Sequence, residues 1–317
     1  MQKPIDLGHG ISLIDVFDLG VAQRTGTYVL HEEKLTIIET SASPSIPYLL
    51  KGLETLGIAA KNIKNIIVTH IHLDHAGGVG LLLDKCPNAN VIVHPKGKRH
   101  LADPSRLIQG AQAVYREKFD ELFNPILPVT EERLFTMEDG DILQIGENRT
   151  LTFLHTPGHA NHHFSIYDSR SNGVFTGDTV GVFYPQLLEY GLEFYLPSTS
   201  PNQFNPTTML DSADRLESLN IERIYFGHFG MSNNPSAAFE QLRYWLPKFV
   251  EVGERITKDN PNASFEEKTD AVSRDLFEMI SAFLDKQNVP READVYEIIS
   301  LDLKVCAMGI IDYLQKR

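Results

Sequence analysis

Two cysteines in 317 residues, Cys86 and Cys306, are too few for a disulfide framework, and neither stands beside a second thiol or a histidine pair, so both are expected to be inert. Long apolar runs are missing too. No window of eighteen or more residues is continuously hydrophobic, which excludes a membrane-spanning helix. The N-terminus, Met1-Gln2-Lys3-Pro4-Ile5-Asp6, lacks a basic flank followed by an apolar stretch, so a cytoplasmic protein is expected. Basic residues are scarce: 29 Lys and Arg against 42 Asp and Glu leave a net charge of −13. Such a surface repels phosphate backbones and argues against a nucleic-acid partner. Low-complexity segments and short-period repeats are absent as well. What remains, 42% hydrophobic and 22% charged residues, is the composition of an ordinary globular protein.

Against these absences one segment stands out. Val68-Thr69-His70-Ile71-His72-Leu73-Asp74-His75-Ala76-Gly77-Gly78 carries three imidazoles and a carboxylate within six positions, directly after the apolar run Asn65-Ile66-Ile67-Val68. Two imidazoles at alternate positions point the same way only where the backbone is extended or turning, while Asp74 and His75 aim at a neighbouring point. One segment can therefore feed two cations. Imidazole and carboxylate suit borderline divalent ions, and a site partly open to water generates a nucleophile at neutral pH.

The N-terminal half alternates short β-like runs with helical ones. Residues 11–17, 27–31 and 35–40 read as antiparallel strands, 46–56 as a helix closed by Gly57, 65–68 as the strand before the histidine segment, 79–83 as a short helix and 90–94 as the next strand. Residues 104–123 read as one longer helix with Leu107, Ala111, Val114 and Phe119 on a face. In the second half, Asp139-Gly140-Asp141 is a turn, 151–155 and 164–167 are strands, and Val174-Phe175-Thr176 leads into Gly177-Asp178-Thr179. A helix over 206–219 delivers a strand at 223–226. From Pro235 onward the pattern is helical only, with a capping box at Ser264-Phe265-Glu266-Glu267 and apolar residues from Val295 to Leu314 at helical spacing. These readings divide the chain into a catalytic domain over 1–234 and a helical extension over 235–317.

Three further candidate ligands stand at predicted strand ends, each beside a glycine: His159 in Thr156-Pro157-Gly158-His159, Asp178 in Gly177-Asp178-Thr179, and His228 in Gly227-His228-Phe229-Gly230. Singly each is weak, since a strand-end Asp or a Gly-His pair is usually a turn. In order they are not. The series His70-x-His72-x-Asp74-His75, His159, Asp178, His228 resembles the metallo-β-lactamase superfamily in its binuclear, glyoxalase II-like hydrolase branch. Asp139-Gly140-Asp141, and His163 following His159, support the likeness, which covers roughly residues 10 to 232.

The resemblance implies a four-layer αβ/βα sandwich, an α/β (α+β) fold with metals at one sheet edge, here with an added C-terminal helical region. It implies that His70, His72 and His159 hold a first divalent ion and that Asp74, His75 and His228 hold a second, with Asp178 bridging. Zinc is the first choice of metal, and iron and manganese accept the same donors. The activity implied is hydrolysis of a small-molecule ester, thioester or lactone by a metal-bridging hydroxide, with Asp74 relaying a proton. Two alternatives stay open: cleavage of a small phosphodiester or phosphotriester, and ligand binding without turnover. Class B1 lactamases place a basic residue where His75 stands, and flavodiiron proteins place Glu where His72 stands, so the motif sides with the hydrolases. The basic residues with which glyoxalase II binds glutathione have no match here.

Between Asp178 and His228 the family's substrate-shaping insert reads Val182-Phe183-Tyr184-Pro185 and then Glu189-Tyr190-Gly191-Leu192-Glu193-Phe194-Tyr195-Leu196-Pro197. Its aromatics suit either an apolar acyl or aryl pocket or plain loop packing, so none of Tyr184, Tyr190 and Tyr195 is assigned to catalysis. His155, His162 and His163 are left out of the ligand set: the resemblance makes His163 structural, His155 lies inside a strand pattern, and a hydrogen bond from any of them to a ligand stays open, while His94 and His100 are read as part of a solvated basic helix face. The partner expected is a small-molecule substrate, with no nucleic acid and no membrane. The apolar C-terminal helix leaves a homo-oligomer open.

Overall fold

The computed structural model describes residues 3–317. Its first seven strands form one sheet in sequence order: β1 (Ile5–Asp6), β2 (Ile11–Asp15), β3 (Gly26–Leu30), β4 (Thr36–Ile38), β5 (Asn65–Ile67), β6 (Asn90–Val93) and β7 (Leu134–Thr136). β1 to β4 are joined antiparallel and β4 to β7 parallel, because helices intervene only in the second part. Those helices are α1 (Ile46–Thr55), α2 (Leu73–Ala76), α3 (Val79–Leu83), α4 (Pro95–Ala102), α5 (Ser105–Tyr115) and α6 (Phe119–Phe123). Strands such as β4 and β5 are buried on both faces, which is why they read as unbroken apolar runs and not as an alternation.

The second sheet begins with β8 (Ile142–Gly146), β9 (Arg149–His155), β10 (Phe164–Asp168) and β11 (Gly173–Gly177). After a separate hairpin of β12 (Val182–Phe183) and β13 (Tyr195–Leu196), and helix α7 (Pro206–Glu217), it is completed by β14 (Arg223–Phe226) and β15 (Met231–Ser232). The strand order is β15-β14-β11-β10-β9-β8. Residues from both sheets meet in one apolar core that includes Leu13, Tyr28, Ile38 and Ile67 from the first and Phe153, Phe164, Phe175 and Tyr225 from the second. A second core lies between the first sheet and its helices, where Ile46, Leu49 and Leu53 of α1 pack with Ile14, Val29 and Ile37. The spacing of those three residues along α1 is that of a single buried helix face.

Helices α8 (Pro235–Asp259), α9 (Phe265–Lys286) and α10 (Val295–Lys316) close the chain and pack on one another. By internal contacts the protein forms two compact units, and neither is a single stretch. The first takes in the chain up to His155 together with His162–Gly177 and Ile221–Asn233, which includes both sheets; the second takes in Thr156–Asn161, Asp178–Asn220 and Asn234–Arg317. Among the described residues no helix is long and apolar enough to cross a membrane.

Most expected elements appear within a residue or two of their predicted ends, and the Ser264 capping box forms in full. The helix expected over 104–123 does not run through. It stops at Tyr115, Arg116 takes φ 49° and ψ −124°, and the chain restarts as α6. The break brings the Tyr115 ring against Phe123, with centroids 4.7 Å apart, in a cluster with Phe119, Ala42 and Leu73. Burial of aromatic surface decides this turn, and no Gly or Pro marks it in the sequence.

Candidate metal centre

Five of the seven predicted ligands lie in the first compact unit. β5 ends at Ile67, and the chain after it is turned inward by Glu39, whose Oε1 accepts from the Thr69 backbone N–H at 3.1 Å. His70 is fully buried, and its Nε2 stands 3.1 Å from Nδ1 of half-buried His72. His72 stands at the N-terminal boundary of the single turn of α2, without a capping bond from its side chain, and that turn carries Asp74 and His75. His228 arrives from the far sheet, on the turn between β14 and β15. One oxygen, Asp74 Oδ2, faces both His75 Nε2 at 3.8 Å and His228 Nε2 at 3.7 Å. Asp74, His75 and His228 can bring one ligand atom each within 4.8 Å of the others.

Three of the four imidazoles have an oxygen close behind the ring. His75 Nδ1 lies 3.4 Å from Glu39 Oε2, His70 Nδ1 lies 3.0 Å from the Thr69 hydroxyl, and His228 Nδ1 lies 3.5 Å from the Thr25 hydroxyl. An N–H on Nδ1 of these three rings would leave Nε2 as the nitrogen able to meet a metal, whereas His72 turns Nδ1 toward His70; imidazole can coordinate through either nitrogen.

The remaining two candidate ligands belong to the second unit and are held in a similar way. Gly158, at φ +127°, has Met209 backbone so near that a Cβ would come within 2.3 Å of it, so only glycine admits the turn that presents His159. His159 Nδ1 donates to the Ser198 carbonyl at 2.9 Å, and its Nε2 faces Asp178 Oδ2 at 3.6 Å. Ser198 holds both partners, since its hydroxyl donates to the same Asp178 Oδ2 at 2.9 Å. His159 and Asp178 are almost wholly buried.

These donors fit divalent ions. Nitrogen–oxygen separations of 3.6 to 3.8 Å are too long for hydrogen bonds but match ligands on a shared ion, whose tetrahedral edges at a metal–ligand distance of about 2.1 Å are about 3.4 Å. The set is all nitrogen and oxygen, without thiolate, which suits zinc, iron or manganese.

Strained backbone gathers around the first unit's candidate ligands. Phe17, Leu19 and Gln23 before β3, Glu39 and Ser41 after β4, and Phe229 beside His228 are all non-glycine residues at φ between 49° and 68°. Left-handed backbone at such residues is costly and persists only where the surroundings enforce it. Between the first two of them lies Asp18, fully buried. Burial pushes its carboxyl pKa up; the charges of Arg24, His228 and His75 pull it back down, while that of Asp74 pushes it further up.

The sequence points to seven candidate ligands and gives little sign of Glu39, Asp18, Thr25 and Ser198, which stand behind some of them. Only Glu39 carried a signal, as a buried acid closing the apolar strand 36–38. The aromatic insert turns out to be packing. Phe183, Tyr184, Phe194 and Tyr195 are buried, Phe194 stacks on Phe283 of α9 at 5.3 Å, and the Tyr184 hydroxyl donates to Asp302 of α10 at 2.9 Å. Tyr190 is half-buried in the short helical turn that follows. His162 and His163 are buried near the His70 ring, at 6.3 and 5.0 Å between centroids. His94 lies away from solvent, its Nδ1 accepting from the Lys96 N–H at the start of α4.

A two-sheet sandwich with histidine–carboxylate clusters at strand ends defines a class of metal-binding proteins. The chain belongs to the metallo-β-lactamase superfamily, whose family model matches residues 19–228 and whose members are mostly metal-dependent hydrolases. It is 26% identical over 225 residues to the metallo-beta-lactamase fold-containing protein ST1585 of Sulfurisphaera tokodaii, a match covering 70% of this chain and 78% of the relative. It is 28% identical over 158 residues to the atrochrysone carboxyl ACP thioesterase AacuM of Aspergillus aculeatus, covering 50% of this chain and 40% of that protein. The crystal structure of the metallo-beta-lactamase family protein TTHA1429 from Thermus thermophilus superposes with a TM-score of 0.69 at 21% identity, over 98% of this chain and 95% of that one. The fold is thus the metallo-β-lactamase fold, two mixed sheets with helices and a C-terminal helical region, as the sequence led us to expect.

Proposed function

We propose that this protein is a binuclear metal-dependent hydrolase of the glyoxalase II-like kind, acting on a small-molecule ester, thioester or lactone. In this reading His70, His72 and His159 hold one divalent ion, Asp74, His75 and His228 the other, and Asp178 serves both; zinc is the preferred metal. The observation that carries it is the position of Asp74 Oδ2, facing two imidazole Nε2 atoms at 3.7 and 3.8 Å, with a Glu39 or Thr25 oxygen 3.4 or 3.5 Å from Nδ1 of each ring. Bound divalent ions of this type polarise a carbonyl and lower the pKa of water toward ~7.

The chain's own side chains supply the rest. Glu39, Thr69, Thr25 and Ser198 stand behind His75, His70, His228 and His159 and favour ring orientations in which Nε2 can meet a metal with little reorganisation. Asp74 is about one-fifth exposed where His75 and His228 are buried, which suits it to pass a proton between the site and solvent. The thioesterase among the relatives supports an acyl substrate.

Protein stripped with chelator and reloaded with zinc should bind two ions per chain and hydrolyse a model thioester or lactone, but not a bis-phosphodiester. Turnover of the phosphodiester alone would replace the acyl substrate with a phosphate ester. Tight binding of a small molecule with no turnover of any ester would leave a binding protein. Asp178→Ala should lose at least one ion, and two ions per chain in that variant would contradict its shared role.

A further inference from the structure

The grip on His228 extends one residue deeper than the hydroxyl that touches it. Thr25 Oγ1 lies 3.5 Å from His228 Nδ1 and donates to Asp18 Oδ2 at 3.2 Å. A hydroxyl owns a single proton. Once that proton is committed to Asp18, Thr25 can meet His228 only as an acceptor, so the imidazole must carry its hydrogen on Nδ1. Its Nε2 is then left as a lone pair directed at Asp74 Oδ2, 3.7 Å away.

Asp18 is built to be that end-point. It is fully buried, its other oxygen accepts from the Ser41 hydroxyl at 3.2 Å, and the Arg24 guanidinium Nε lies 3.2 Å from the oxygen that takes the Thr25 proton. Ser41 and Arg24 are donors, so neither competes with Thr25 for a proton. The backbone on either side is held left-handed, with Phe17 at φ 49° and Leu19 at φ 53°, and this turns the carboxylate inward from a loop of irregular backbone.

We infer that Asp18 is a positioning residue for the metal centre, which acts through Thr25 to lock His228 in the tautomer that coordinates through Nε2. The inference rests on the metal-site reading above, but part of its test needs no metal. In metal-free protein at pH 8, long-range nitrogen–proton correlations of the His228 ring, assigned with His228→Gln, should show the hydrogen on Nδ1. Thr25→Val keeps the shape of the side chain and removes the hydroxyl; it should shift the ring toward the other tautomer, and Thr25→Ser should restore it. In zinc titrations the wild type should fill two sites. Thr25→Val and Asp18→Asn should weaken one of them on the order of ten- to a hundredfold and leave the other alone, with Thr25→Ser near wild type.

A His228 tautomer and zinc affinities unchanged in Thr25→Val would overturn the inference, and because that variant preserves packing it decides the matter even if Asp18→Asn fails to fold. A wild type that takes up no zinc, yet shows the predicted tautomer and its loss in Thr25→Val, would sink the hydrolase reading and leave the Asp18–Thr25–His228 relay standing.

Discussion

Individual side chains set the chemical behaviour of this protein in ways that can be measured one at a time. Both cysteines are buried and free, and burial pushes each thiol pKa up to about 12, so almost no thiolate forms at ordinary pH. Iodoacetamide at pH 8 should leave the native protein unlabelled and alkylate both residues after denaturation, as mass spectrometry will show. His94 behaves in the opposite direction. Burial, with His155 and Lys96 adding, lowers its pKa to about 4 from the ordinary value of 6.5. In the window between those values the unfolded chain binds a proton that the folded chain refuses. The stability owed to the neutral ring is therefore complete above pH 6.5 and is lost progressively as the pH falls toward 4, by about 3 kcal/mol at most. His94→Asn keeps an acceptor for the Lys96 N–H and should flatten that part of the urea-midpoint profile relative to wild type.

At the scale of elements, the C-terminal helix has a task beyond covering apolar surface. Gly309 of α10 lies so close to the Thr199 carbonyl that a Cβ would come within 2.2 Å of it, and Cys306 donates from Sγ to the Pro197 carbonyl at 3.4 Å. These two contacts bracket Ser198, the residue that touches both His159 and Asp178. Gly309→Ala must displace backbone; we expect it to cost about 1–3 kcal/mol of stability and to weaken zinc binding at the His159–Asp178 end. Ser264→Ala is the contrast. It removes the capping box of α9 and should cost about 1 kcal/mol in thermal unfolding while leaving zinc stoichiometry at two. The box was readable in the sequence because its signal is local, four residues long. The break at Arg116 was not, because no breaker stands there and the turn is chosen by where Tyr115, Phe119 and Phe123 can be buried together. The same holds for the aromatic insert: its composition suited a pocket or a core equally, and only the partners supplied by α9 and α10 decide for packing.

For the whole molecule, the seven candidate ligands stand out in the sequence because their chemistry is conspicuous and each lies at a strand end or in a short turn. The oxygens behind them do not, apart from the acid that closes strand 36–38, since Thr25 and Ser198 reach their histidines, and Asp18 reaches Thr25, through tertiary contacts that no local pattern encodes. Ions bound to the folded state alone should stabilise it by mass action, about 4 kcal/mol at a thousandfold excess over Kd. Chelation should therefore lower the melting temperature, and zinc should restore it. An unchanged melting curve would show that the centre does not bind strongly.

Tyr28 links this centre to the interior in another way. Its ring sits in the core between the sheets, edge-on to Phe175 at 5.1 Å, while its hydroxyl reaches the Phe226 and Gly230 carbonyls, each at 2.6 Å, at the two ends of the turn that carries His228. Tyr28 thus ties the spacing of the sheets to the turn that carries His228, a proposed ligand. Swelling or thinning the core between the sheets several residues from any ligand, by Ile166→Phe or Ile166→Ala, should detune ion affinity in step with the spacing of the sheets, so that the interior acts as a gauge for the chemistry at its rim.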